Sequence, residues 1–163
     1  MDKDLRLYEN TKYRYESFEK KSIIIDVNVE SNDTNFTITM DEPLVIDVRS
    51  QVYLDSLTTY KCKDSSDSNL AGFLLSIDIF PTKAVSNNSK INRAFFIPNE
   101  HSTNVVIGKV HKGKKLNYVC DINPTKIVQI NGSLTDINGG NIFDTPTAVN
   151  PGRFIAEFII TSI

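Results

Sequence analysis

The sequence predicts an all-β fold, an antiparallel β-sandwich of about eight to ten strands with an extended N-terminal arm. Three observations carry this. Apolar and polar residues alternate with a period near two in one segment after another, as side chains do on the two faces of a strand. The segments are short, rich in Val, Ile, Phe and Tyr, and separated by clusters of Asn, Asp, Ser and Pro. No stretch sustains the 3.6-residue period of an amphipathic helix.

Taken in order, residues 1–21 interleave charges with Tyr8, Tyr13, Tyr15 and Phe18, and their apolar spacing is too weak for a helix. They read as an arm: either a solvated terminus or a segment whose aromatic side chains contact a neighbouring subunit, since aromatics are favoured at interfaces. One domain over residues 22–163 follows. Residues 22–29 (Ser-Ile-Ile-Ile-Asp-Val-Asn-Val) are β-branched, and Phe36, Ile38 and Met40 share a face in 36–40. Residues 43–48 open on Pro43, which a strand tolerates at its first position. Residues 52–60 have Leu54 in phase with Val52, and in 73–80 Phe73, Leu75, Ile77 and Ile79 share a face. Further strands are expected at 93–98, 104–108, 116–120, 126–134 and 153–161, the last with Phe154, Ala156, Phe158 and Ile160 on one side. Turn-forming clusters at 63–69, 86–89 and 98–102 separate them. Short strands at this spacing make a sandwich or barrel. Eight to ten in one domain, with no tryptophan and no Cys-Trp-Cys pattern, favour a single jelly roll over an immunoglobulin-type sandwich.

The 163 residues suit one domain, and a chain of that size buries roughly 70% of its unfolded surface without staples. A net charge of −2 argues against a surface that grips nucleic acid throughout, so no specific nucleic-acid recognition is expected. The first 21 residues lack the apolar core of a secretory signal, and no run approaches the ~18 apolar residues of a membrane span. Cys62 and Cys120 are expected as thiols rather than a disulfide.

Four features were candidates for chemistry. Residues 134–144 (Leu-Thr-Asp-Ile-Asn-Gly-Gly-Asn-Ile-Phe-Asp) resemble an acidic loop around calcium. Counted from Asp136 against the EF-hand pattern, however, Gly140 and Asn141 fall where an oxygen ligand and the glycine should stand, and Thr147 replaces the bidentate Glu. The Asn-Gly-Gly run suits a hairpin tip between two late strands instead. His101 and His111 lack an acidic cluster for a zinc site. Gly108-Lys109 lacks the earlier glycine and the following Ser or Thr of a phosphate loop. The run 108–115 places Lys109, His111, Lys112, Lys114 and Lys115 in one loop, a solvated tip or a local anion-binding patch. No catalytic constellation, metal or cofactor is expected.

Residues 41–60 (Asp-Glu-Pro-Leu-Val-Ile-Asp-Val-Arg-Ser-Gln-Val-Tyr-Leu-Asp-Ser-Leu-Thr-Thr-Tyr) resemble the single jelly-roll capsid proteins of nucleocytoplasmic large DNA viruses, in which a proline-led strand precedes a Val-Tyr-Leu-Asp-Ser strand. Residues 130–143 and 153–160 are similar to the close of that family. The resemblance covers 41–60 and 130–160, and the middle only by strand rhythm. It implies a structural virion protein without catalytic residues, a penton whose five copies close each icosahedral vertex, or another minor capsid protein. Implied partners are further copies of the chain in a homopentamer, major and minor capsid proteins, and internal membrane or vertex-associated proteins. The implied location is the capsid vertex of the virion, after synthesis in the infected-cell cytoplasm or viral factory. The alternatives are a lectin-like β-sandwich binding carbohydrate or a host receptor, and a small enzyme on a β-barrel scaffold.

Overall fold

The computed structural model describes residues 20–63, 68–82, 84–99, 108–111 and 117–163. Among these are nine strands: β1 (Lys20–Val29), β2 (Asn35–Ile46), β3 (Ser50–Tyr60), β4 (Gly72–Ile77), β5 (Phe95–Pro98), β6 (Gly108–His111), β7 (Asn117–Ile122), β8 (Thr125–Asp136) and β9 (Gly152–Ser162). A single 3₁₀ turn, Ser68–Ala71, precedes β4. Every pairing is antiparallel. One sheet has the order β1-β9-β3, with β6 and β7 both on the far side of β3; the other has the order β2-β8-β4-β5. The chain is therefore an all-β antiparallel sandwich, as its alternation predicts.

The core lies between the sheets. Ile23 and Ile25 of β1, Val52, Leu54 and Leu57 of β3, and Phe154, Ala156, Phe158 and Ile160 of β9 are buried from one side. Phe36, Phe73, Leu75, Ile77, Ile97, Ile127, Ile130 and Leu134 meet them from the other. The aromatic rings pack edge to face: Phe36 on Phe154 at 5.3 Å, and Phe80 and Phe95 on Phe158 at 5.0 and 5.9 Å between centroids. Phe143 stacks on Phe154 from the β8–β9 connection. Gly132 lies where β8 passes under Phe36, and a Cβ there would meet the Ser76 carbonyl oxygen at 2.4 Å and the Phe36 ring at 2.5 Å.

Three expectations need correcting, and the expected strand over 52–60 stands with an added bulge. Residues 36–40 and 43–48 are one strand, β2, with a register shift between Thr39 and Leu44. Pro43 sits inside that irregularity on an edge strand, where its missing N–H costs no ladder bond. A second bulge, between Leu54 and Ser56, resets the phase of β3, so Val52 and Leu54 before it and Leu57 and Thr59 after it all face inward. Ile79 lies beyond β4, because Phe80 N–H turns back to the Ile77 carbonyl. Finally, Asp136–Gly140 is no hairpin tip. β8 and β9 belong to different sheets and do not pair, and the turn starts a crossing from one sheet to the other. The expected strand at 104–108 lies outside the described residues except for Gly108, which opens β6.

Phe158 contacts rings from two other elements and is fully buried, so Phe158→Ala removes a large apolar volume that neither sheet can collapse into. The expected loss is about 3–5 kcal/mol, read as a lower denaturant midpoint with an unchanged slope.

Candidate functional site

The Asp136 turn is held by its own backbone. The Asp136 carboxylate accepts the N–H groups of Asn138 and Gly140, both at 2.8 Å. Asp136 N–H donates to the Gly140 carbonyl, and Gly139 N–H to the Asp136 carbonyl. Gly139 takes φ +86°, the left-handed conformation for which glycine is suited. Asp136 is buried. Its Oδ1 therefore caps the turn from inside. Among the described residues no three His, Cys, Asp or Glu side chains gather as a metal site, and no helix is long and apolar enough to cross a membrane.

Of the expected contact residues, Tyr8, Tyr13, Tyr15 and Phe18 lie outside the described residues, as do Lys112, Lys114 and Lys115. The expectation of a single loop over 108–115 is corrected. Lys109 and His111 belong to β6, opposite Thr59 and Leu57 of β3, because the chain there completes an open sheet edge instead of leaving it.

The structure brings together a group that sequence reading missed. Regular pairing sets Gln51 opposite Asp121, and a bulge between Val52 and Tyr53 then sets Tyr53 opposite Tyr118, on the outer face of β3 and β7. The Arg49 guanidinium bonds the Asp121 carboxylate at 2.5 Å, and the Tyr118 hydroxyl donates to its other oxygen at 2.9 Å. The Tyr53 hydroxyl donates to the Gln51 side-chain oxygen at 2.8 Å, and the two tyrosine rings meet edge to face at 5.9 Å. Tyr118 is 56% exposed. Beside it a groove of about 350 Å³ opens between β5 and β7, lined by Phe95, Phe96, Pro98, Asn117, Tyr118 and Val119. Arg49 and Asp121 are 72 residues apart, and the register of β3 and β7 brings them together. No local signal in the sequence could have paired them.

The charges follow the geometry. The Tyr118 hydrogen bond and then the Arg49 guanidinium hold the Asp121 carboxyl below its ordinary value. The same hydrogen bond is the first cause pushing the Tyr118 hydroxyl up. Burial, then the Asp121 charge, push the Cys120 thiol up to about 11. Cys62 and Cys120 are both thiols and are not joined. A thiol held protonated inside the core is a packing residue, not a nucleophile. The arrangement offers ring faces, amide and guanidinium donors and a fixed carboxylate, which is chemistry for binding a surface or a polar ligand.

No family model matches the chain, and no curated protein matches its sequence.

Two expected outcomes follow from the geometry. Asp136→Ala leaves the Asn138 and Gly140 N–H groups without their acceptor and lowers stability by about 1–3 kcal/mol, while added calcium leaves the wild-type melting temperature where it was. Asp121 is depressed in the fold, so its contribution is complete above the ordinary carboxylate value of about 3.9 and is lost as pH falls through the lower folded value. Asp121→Asn therefore gives a shallower fall in melting temperature below about pH 4 than the wild type. Parallel acid profiles would contradict this.

Proposed function

We propose that this chain is a structural virion protein, a penton capsomer closing the fivefold vertices of a large DNA virus capsid, and that it has no enzymatic role. The observation that carries the reading is the strand order. The sheets β1-β9-β3 (with β6 and β7) and β2-β8-β4-β5 interleave first, last and middle strands. That interleaving supports reading the sandwich as a single jelly roll, two Greek keys wrapped face to face. It supports the fold that the resemblance over residues 41–60 and 130–160 implies. A fold alone carries no function; the resemblance adds the capsid role.

The surfaces support it further. Among the described residues, β1 and β2 form one pair of open edges, and β5 with β6 and β7 the other. A cyclic ring closes through heterologous contacts of that kind. Tyr60, Phe96 and Tyr118 are exposed at or beside the second pair, and Tyr8, Tyr13, Tyr15 and Phe18 of the arm are proposed as further inter-subunit contacts. The proposed partners are other copies of the chain, the major and minor capsid proteins, and internal membrane or vertex-associated proteins. The proposed location is the capsid vertex, after synthesis in the infected-cell cytoplasm or viral factory.

One observation favours the lectin-like alternative. Exposed Tyr118 stands beside Arg49, Gln51 and Asp121, and a ring face with a row of polar groups is what a sugar needs. A glycan array with the purified chain separates the two readings: specific glycan binding abolished by Tyr118→Ala favours the lectin.

Quantitative mass spectrometry across a density gradient of the virus tests the capsid role. The chain is expected to sediment with intact particles in a constant ratio to the major capsid protein. Its absence from washed particles would overturn the proposal.

A further inference from the structure

β1 lies in one sheet and β2 in the other, so residues 30–34 cross the gap between the sheets. The connection from β8 to β9 crosses the gap as well. The two crossings are tied together. The Asn141 side-chain amide donates to the Asn32 side-chain oxygen at 3.0 Å, and Leu134 N–H donates to the Thr34 carbonyl at 3.0 Å. A pocket of about 170 Å³ opens beside them, lined by described residues throughout. Its inner wall is made by Phe36, Leu134, Phe143 and Phe154, all buried. The three rings are contiguous: Phe154 meets Phe36 edge to face at 5.3 Å and stacks on Phe143 at 6.5 Å. The pocket thus reaches the rings on which the core is built.

The charge at this pocket has one sign. Glu30 and Asp33 are exposed members of the lining, which holds no basic side chain. Lys63, which donates to the Asn141 carbonyl at 2.7 Å, does not line the pocket. Among the described residues no ion pair engages Glu30 or Asp33. Asp33 is positioned by its own turn, its Oδ1 accepting the Asn35 N–H at 3.0 Å and the Asn35 side-chain amide at 3.1 Å. Two unpaired carboxylates at the mouth of a pocket attract a cation and disfavour an anion. The walls decide which cation. A metal ion or a primary ammonium would give up hydration against rings that return no hydrogen bond. A quaternary ammonium carries its charge on methyl groups and is attracted to aromatic rings. At about 30 Å³ for each water-sized group, the pocket has room for about five or six heavy atoms, the size of a tetramethylammonium ion.

We infer that this pocket binds a small quaternary ammonium group, its methyls against the wall of Phe36, Phe143 and Phe154 and its charge balanced by Glu30 and Asp33. A free choline-like cation and the choline headgroup of a lipid share that chemistry. The inference goes beyond the capsid reading and does not depend on it.

Titration of the full chain with tetramethylammonium chloride, followed by amide NMR at constant ionic strength, tests this. The amides of Val29, Glu30, Asn35 and Phe143 should shift along one saturable curve, with a dissociation constant of order millimolar. Sodium chloride and tert-butanol, an uncharged molecule of similar shape, should leave those amides in place. The double variant Glu30→Gln/Asp33→Asn should bind at least about fivefold more weakly, with the amides of β9 reporting that it is folded. If the variant unfolds, the tert-butanol comparison on the wild type decides. The absence of a saturable shift would overturn the inference. So would equal shifts with tert-butanol, or an unchanged dissociation constant in the folded variant. Two further arms separate the sources. Saturation by choline without flotation on phosphatidylcholine vesicles supports a free ligand, and flotation blocked by tetramethylammonium supports the headgroup.

Discussion

The structure depends on β9. It is the last strand of the chain, yet it lies inside its sheet, paired over its full length with β1 on one side and β3 on the other. Its inward residues alternate large and small, Phe154 and Phe158 about Ala156, all buried. Phe154 receives the rings of Phe36 and Phe143, and Phe158 those of Phe80 and Phe95. Six segments, two by pairing and four by ring contact, are thus tied to one strand. The pairing of first with last strand is nonlocal, and its loop-closure entropy is offset only when the whole core assembles.

That arrangement decides which strands are marginal among the described residues. With β9 and β8 central, the margins fall on β1 and β2 at one side and on β5, β6 and β7 at the other. Each margin is treated differently. β2 carries Pro43 in an irregularity that blunts it. β1 starts with Lys21 strapped to the β2 backbone. The β7 margin carries the tyrosine, arginine and carboxylate group and the groove beside Phe96. Partners that pair at such surfaces gain affinity from buried rings at the centre more than from charges at the rim, and that places Tyr118 and Phe96 ahead of Arg49 as contact residues.

Strand identity was legible because burial on one face writes a period of two. Residues 153–161 display it without interruption, and β9 matches them almost residue for residue. Legibility failed where the period breaks. The irregularity between Thr39 and Leu44 made one strand look like two, and the bulge between Leu54 and Ser56 hid the inward phase of Leu57 and Thr59 in a strand otherwise expected over 52–60. The turn at Asp136 was recognisable as a turn, since its Asn-Gly-Gly run needs left-handed backbone at Gly139. Its destination was not, because a turn's chemistry is local and the choice of sheet is made by core packing far away. For the candidate site the limit is stricter. Arg49, Tyr53, Tyr118 and Asp121 come together only through the register of β3 and β7.

The central claim is that this sandwich is a vertex component of an icosahedral shell. A reconstruction of the particle, calculated with the symmetry of the vertex relaxed, tests it most directly. The account predicts density on each fivefold axis that fits five copies of β1–β9, with the strands running radially and the β5 and β7 margins facing the neighbouring copy. Vertex density that accommodates a different fold, with this chain elsewhere or absent, would contradict it.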